Sequence, residues 1–119
     1  MLELLDGFDE TTIALRGSGE ITREDYQTVL IPRAKKLLET YEKVNCFMHI
    51  TEGATYTMGA LAADATFGLG HIFSWNKVAI VSDIHWIHRA AGYILPLMPF
   101  HVRLYAESDY DDAKQWLME

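Results

Sequence analysis

Apolar and polar positions alternate and cluster in a repeating way along the chain. Leu2-Glu3-Leu4-Leu5 and Thr12-Ile13-Ala14-Leu15-Arg16 read as two short strands, with Asp6-Gly7-Phe8-Asp9 turning between them, which predicts a hairpin. Gly17-Ser18-Gly19 ends the second strand. Thr22 suits a helix N-cap, and Asp25 stands where a capping-box acid belongs. Tyr26, Val29, Leu30, Leu37, Leu38 and Tyr41 then recur at helical spacing on one face. Pro32 falls inside that helix and predicts a kink near Thr28, whose carbonyl loses its N–H partner.

Val44-Asn45-Cys46-Phe47-Met48-His49-Ile50 is almost continuously apolar and predicts a central strand. His49 within it reads as a hydrogen-bonded core histidine. A polar loop from Thr51 to Thr57 leads into a helix from Met58 to about Phe73. Its expected core stripe is Met58, Leu61, Ala62, Ala65, Leu69 and Ile72. The glycines Gly59, Gly68 and Gly70 cost about 1 kcal/mol each there, which predicts that a backbone or a ligand approaches closely.

Lys77-Val78-Ala79-Ile80-Val81 predicts another strand, and Ser82 and Asp83 are placed to cap a helix from Ile84 to about Leu97. Pro96 and Pro99 stop it. His101-Val102-Arg103-Leu104-Tyr105 is the last strand, and Tyr110 to Leu117 a closing helix with Ala113, Trp116 and Leu117 inward. The order ββαβαβαβα predicts an α/β fold. Its five-stranded mixed sheet has an antiparallel pair at one edge and is accompanied by four helices. No repeat or linker interrupts the chain, so residues 1–119 are expected to form one domain.

Composition narrows the function. Half of the 119 residues are hydrophobic and 12% aromatic, which argues against disorder. A chain of this length buries roughly two-thirds of its unfolded surface, enough for one core. The net charge of −7 argues against a nucleic-acid partner, because polyanion binding needs basic patches. That charge is uneven. Nine acids and six bases leave −3 over residues 1–43, and five acids and one base leave −4 over 107–119. Residues 44–106 hold three of each and are neutral. Such a stretch is either mostly core or partly apolar surface meant for a partner, a ligand or a bilayer. The lone Cys46 can form neither an internal disulfide nor a thiolate metal site and reads as a small core residue. No signal peptide or membrane span is legible, so a cytoplasmic protein is expected, peripheral at the membrane where it meets lipid.

Motifs for chemistry are sparse. The serines sit in no nucleophile-elbow pattern, and Gly17-Ser18-Gly19-Glu20 lacks the third glycine and lysine of a phosphate loop. Asp64 and His71, seven apart on one helical face, are the weak case for a small enzyme. His85 and His88 stand at i, i+3 with Asp83 nearby, but Arg89 opposes a cation, so no metal is expected. Together His85, His88 and Arg89 read as a polar stripe flanked by Trp86 and Tyr93, which suits a headgroup surface.

Certain residues carry a family resemblance. Gly19-Glu20-Ile21-Thr22-Arg23-Glu24-Asp25-Tyr26 with Ile31-Pro32, then Phe67-Gly68-Leu69 with His71, resemble the first two helices of the SpoIIAA-like proteins. Val78-Ala79-Ile80-Val81-Ser82-Asp83 with Trp86, and Ala113 with Trp116-Leu117, resemble that family's later strand and C-terminal end. The family is related in fold to STAS domains and to the CRAL-TRIO lipid-transfer fold. The resemblance implies a STAS-like mixed sheet, apolar ligands held between mobile helices, approach to membranes, and pairing as homodimers. A tryptophan common in the second helix is replaced here by Ala62, and accompanying lysines by Thr66 and Gly70. STAS-type regulators are switched by phosphorylation at the helix after the third strand, where this chain offers Thr55 and Thr57. The Asp-Ser pair of such switches is absent from Thr51-Glu52-Gly53-Ala54-Thr55.

A non-enzymatic binding protein without cofactor is therefore expected. A small apolar or lipid-like ligand is expected against Leu61, Phe67, Phe73, Trp86, Ile87 and Tyr93, with helix movement opening the site. The alternative is a STAS-type interaction module using the same surface, as a homodimer.

Overall fold

Alternation along the strands sorts side chains to two faces of one sheet. In the computed structural model, which describes residues 1–119, the strands are β1 (Leu2–Leu4), β2 (Thr12–Gly17), β4 (Val44–Ile50), β6 (Trp75–Val81) and β7 (His101–Tyr105). They lie in the order β1-β2-β4-β6-β7, with β1 antiparallel to β2 and every other pair parallel. This is the expected five-stranded mixed sheet, its antiparallel pair at one edge. Two further strands, β3 (Glu20–Ile21) and β5 (Thr55–Tyr56), pair in parallel as a small second sheet. Two residues each are too short to leave a periodic signal. Positive φ at Gly19 and Gly53 lets the chain turn into them.

Four helical segments follow: α1 (residues 23–38), α2 (Met58–Gly70), α3 (His85–Ile94) and α4 (Tyr110–Met118). Ile13, Leu15, Cys46, Met48 and Ile50 point to one face and meet Tyr26, Leu30, Ala34 and Leu37 of α1, Ala60 and Phe67 of α2, and Ile87 of α3. Ala14, Phe47, Ala79 and Val81 point to the other and meet Ala113, Trp116 and Leu117 of α4. Three helices therefore cover one face and one covers the other.

Thr22 caps α1 in a full capping box: its N–H and hydroxyl both donate to Asp25 Oδ2, at 2.8 and 3.0 Å. The proline does not break the helix. A π-turn over Tyr26–Leu30, closed by Ile31 N–H on the Tyr26 carbonyl, precedes Pro32, which enters the next helical turn near its start.

Several local expectations are corrected. The core stripe expected on α2 faces outward: Met58 and Leu69 are exposed, and Leu61, Ala62 and Ala65 with them. Ala60 and Phe67 face the core instead. The helix is apolar on nearly every side, so periodicity carries no direction. Specific bonds choose the face, namely the Asp64 contact with Tyr26 and Trp75 Nε1–H donating to the Gly68 carbonyl at 3.4 Å. Of the three glycines only Gly59 is closely approached, by Arg23; Gly68 and Gly70 face open space. The helix also ends at Gly70 rather than Phe73. Helix α3 stops at Ile94, and Leu95–Leu97, holding Pro96, tightens into a 3-10 turn. Ser82 Oγ accepts the Ile84 N–H at 3.1 Å, but Asp83 caps nothing in α3; its Oδ1 accepts the Glu107 N–H at 3.0 Å.

Candidate functional site

Three aromatic residues and one acid meet where α1, β5, α2 and α3 converge. Tyr26 sits in the π-turn of α1 with 1% of its surface exposed. Its hydroxyl donates to Asp64 Oδ2 at 3.0 Å. The Tyr56 hydroxyl lies 3.5 Å from that of Tyr26. Trp86 stands edge-to-face on Tyr56, with ring centroids 5.8 Å apart and planes at 89°. By accessible area Asp64 is exposed. Protein atoms nonetheless crowd its carboxyl, and that desolvation holds its pKa above the ordinary carboxylate value, only partly offset by the Tyr26 bond. Burial, then the Asp64 charge, pushes Tyr26 far above the usual phenol value, and burial raises Tyr56. Cys46 lies beneath, its thiol pushed up to about 12 by burial. It is inert at neutral pH.

On the two helices that meet at this corner, and just after them, large apolar side chains stay out of the core. Met58, Leu61 and Leu69 on α2, Phe73 after it, Trp86, Tyr93 and Ile94 on α3, and Leu97 beyond are all exposed. The residues expected to bind an apolar ligand thus divide. Phe67 and Ile87 are buried in the main core, at 8% and 9% exposure. Leu61, Phe73, Trp86 and Tyr93 are exposed, Phe73 at 78% and Tyr93 at 81%. A groove of about 450 Å³ lies elsewhere, at the β7 edge between Leu95, Phe100 and Trp116.

The polar stripe divides too. His85 and Arg89 are exposed, but His88 Nε2 donates to the Ser82 carbonyl at 2.5 Å. His71 and Asp64 have separate partners, His71 Nδ1 donating to the Phe67 carbonyl at 3.1 Å. Thr57 Oγ1 accepts the Ala60 N–H at 3.1 Å and caps α2, while Thr55 is exposed on β5. Across the sheet, His49 meets Glu107 at 2.7 Å and Tyr110 edge-on at 5.2 Å. It is a hydrogen-bonded histidine, as expected. The Tyr26–Tyr56–Asp64 line leaves no mark in the sequence: its members are spaced too far apart for any periodic signal, and Tyr26 falls on the apolar face of its helix like any core aromatic.

The SpoIIAA-like family profile matches residues 12–118. The chain belongs to the SpoIIAA-like family. Its fold is similar to the crystal structure of an uncharacterized protein of the DUF3478 family with a SpoIIAA-like fold, from Shewanella loihica PV-4. That likeness has a TM-score of 0.75 at 23% identity and covers 98% of this chain and 92% of the other. No curated protein matches the chain. Within this SpoIIAA-like chain, no helix is long and apolar enough to cross a membrane.

Proposed function

We propose that this protein is a non-enzymatic interaction module that holds a small apolar or lipid-like ligand on the outer α2–α3 surface. Family and fold support a regulatory or interaction module rather than an enzyme. One observation carries the finer reading: α2, α3 and the turns that follow them keep Met58, Leu69, Phe73, Tyr93 and Leu97 in solvent, while Ala60, Phe67, Ile87 and Ala91 are buried. Burying such side chains is favourable by about 25 cal/mol per Å² of apolar area, so a surface of this kind is stabilised by whatever covers it.

Helix α3 is suited to move, since only Ile87 and Ala91 of its ten residues are buried. Val78 and Ile80 of β6, packed against the same core cluster as Ile87, are only half-buried. Exposed His85 and Arg89 beside Trp86 give the surface a weakly basic rim and favour reversible contact with anionic membranes.

Native mass spectrometry of the purified protein, with organic extraction, tests this. The expected result is a co-purifying apolar molecule, or pelleting with anionic vesicles between about pH 5.5 and 7.5, where histidine titrates. An empty mass, no vesicle binding and a concentration-dependent dimer would replace it with self-association through the same surface.

A further inference from the structure

The Asp64 carboxylate lacks a counterion. The Met1–Asp25 ion pair and the His49–Glu107 hydrogen bond both lie elsewhere. Residues 44–76 contain Glu52 and Asp64 but no lysine or arginine. Arg23 of α1 reaches α2 at Gly59, more than a helical turn before Asp64. A crowded carboxylate held by a single hydroxyl is costly unless it is neutralised or paired.

The surroundings suit one kind of partner. Tyr26 and Tyr56 have ring centroids 6.5 Å apart at 54°, and Trp86 stands at a right angle to Tyr56. Aromatic faces set at angles beside a carboxylate attract organic cations, whose diffuse charge interacts with ring quadrupoles within about 6 Å. A strongly hydrated metal ion would gain little from the rings.

We infer that the corner of Asp64, Tyr26, Tyr56 and Trp86 receives the alkylammonium head of an amphiphile whose chain lies along the α2–α3 apolar surface. This rests on the apolar-surface reading above and names its ligand class. His85 and Arg89 lie on the Trp86 side and oppose a cation there, so the head belongs on the Tyr56 and Asp64 side. An anionic head would be drawn the other way, to Arg89.

The test compares three probes of equal chain length, below their micelle-forming concentrations: dodecyltrimethylammonium, dodecyl maltoside and dodecanoate. Dissociation constants come from titration calorimetry, with tryptophan emission as a second readout. The ammonium probe is expected to bind about tenfold more tightly than the maltoside. Asp64→Asn, checked for folding by circular dichroism, should bring the two within about twofold and leave maltoside affinity unchanged. Glu52→Gln removes the same charge from an exposed turn and should keep the preference. Trp86→Leu should lose it while retaining apolar area, a second route if Asp64→Asn is unstable.

Equal affinities in the wild type, a preference surviving Asp64→Asn, or tightest binding of dodecanoate would each overturn the inference. Maltoside binding with no ammonium preference refutes only the head assignment. If none of the three probes binds, the apolar-surface reading fails with it.

Discussion

His49 Nε2 donates to Glu107 Oε1 at 2.7 Å, joining the central strand β4 to the turn that opens α4. A carboxylate oxygen only accepts, so the ring proton belongs on Nε2. His49 Nδ1 is then a buried nitrogen without a partner. The same turn is held from β6 by Asp83 on the Glu107 N–H. Helix α4 is thus fastened at its start by two side chains from neighbouring strand ends, and further along by Trp116, over which Lys77 and Arg103 lie at 5.4 and 4.7 Å.

Replacing His49 with leucine should therefore loosen α4 before it loosens the sheet. The expected loss is about 1.5–3 kcal/mol, the range for a hydrogen bond to a charged group. Urea denaturation gives the loss, and hydrogen exchange should quicken first over Glu107–Asp109. Uniform quickening across β2 and β4 would mean that the bond supports the whole core instead.

Stability should respond to acid with two opposite signs. Partial burial alone would raise Asp9 and Asp25, but the bonds they accept outweigh it and hold both below the ordinary value. Asp9 is bonded by Thr12 and Thr11, and Asp25 by Thr22 with the N-terminal ammonium adding charge. Their contributions are present above the unfolded carboxylate value near 3.8 and are lost as pH falls through the lower folded values. Asp64 is raised, so its contribution is present below that value and is lost as pH rises through the folded one. Asp64→Asn should accordingly raise the thermal midpoint at pH 7 and leave it unchanged near pH 3. Thr22→Ala should lower it at pH 7, with the difference shrinking toward pH 2. An Asp64→Asn protein less stable at pH 7 would show that the carboxylate is paired in solution.

Two phenylalanines separate core from surface. Phe67→Ala, at 8% exposure, should cost about 3–5 kcal/mol. Phe73→Ala, at 78%, should change stability by less than about 0.5 kcal/mol and weaken amphiphile or vesicle binding. Denaturant midpoints and the binding assay read both. Unchanged binding in the Phe73 variant would remove that residue from the proposed surface.

Much of the fold was legible because strands and caps announce themselves locally. The continuous apolar run Val44–Ile50 does become the middle strand, and Thr22 with Asp25 does close a capping box. The π-turn before Pro32 was half-legible: a missing N–H signals a disturbance, while the route by which the helix absorbs it depends on how Tyr26 and Leu30 pack.

The candidate surface was less legible, for a physical reason visible in α2. A helix with apolar residues all round has no preferred inward side, so the stripe through Leu61 and Leu69 could not be told from the face through Ala60 and Phe67. Long-range polar bonds settled it, above all Tyr26 on Asp64, which spans 38 positions. The order of elements, the mixed sheet, the neutral middle and the family are written in the chain, since each rests on local periodicity or on motifs in order. Which apolar residues are core and which are left in solvent, and that Asp64 stands uncompensated among aromatic rings, emerge with the packed fold. Burial and counterion pairing are properties of neighbours brought together by folding, and no local pattern encodes them.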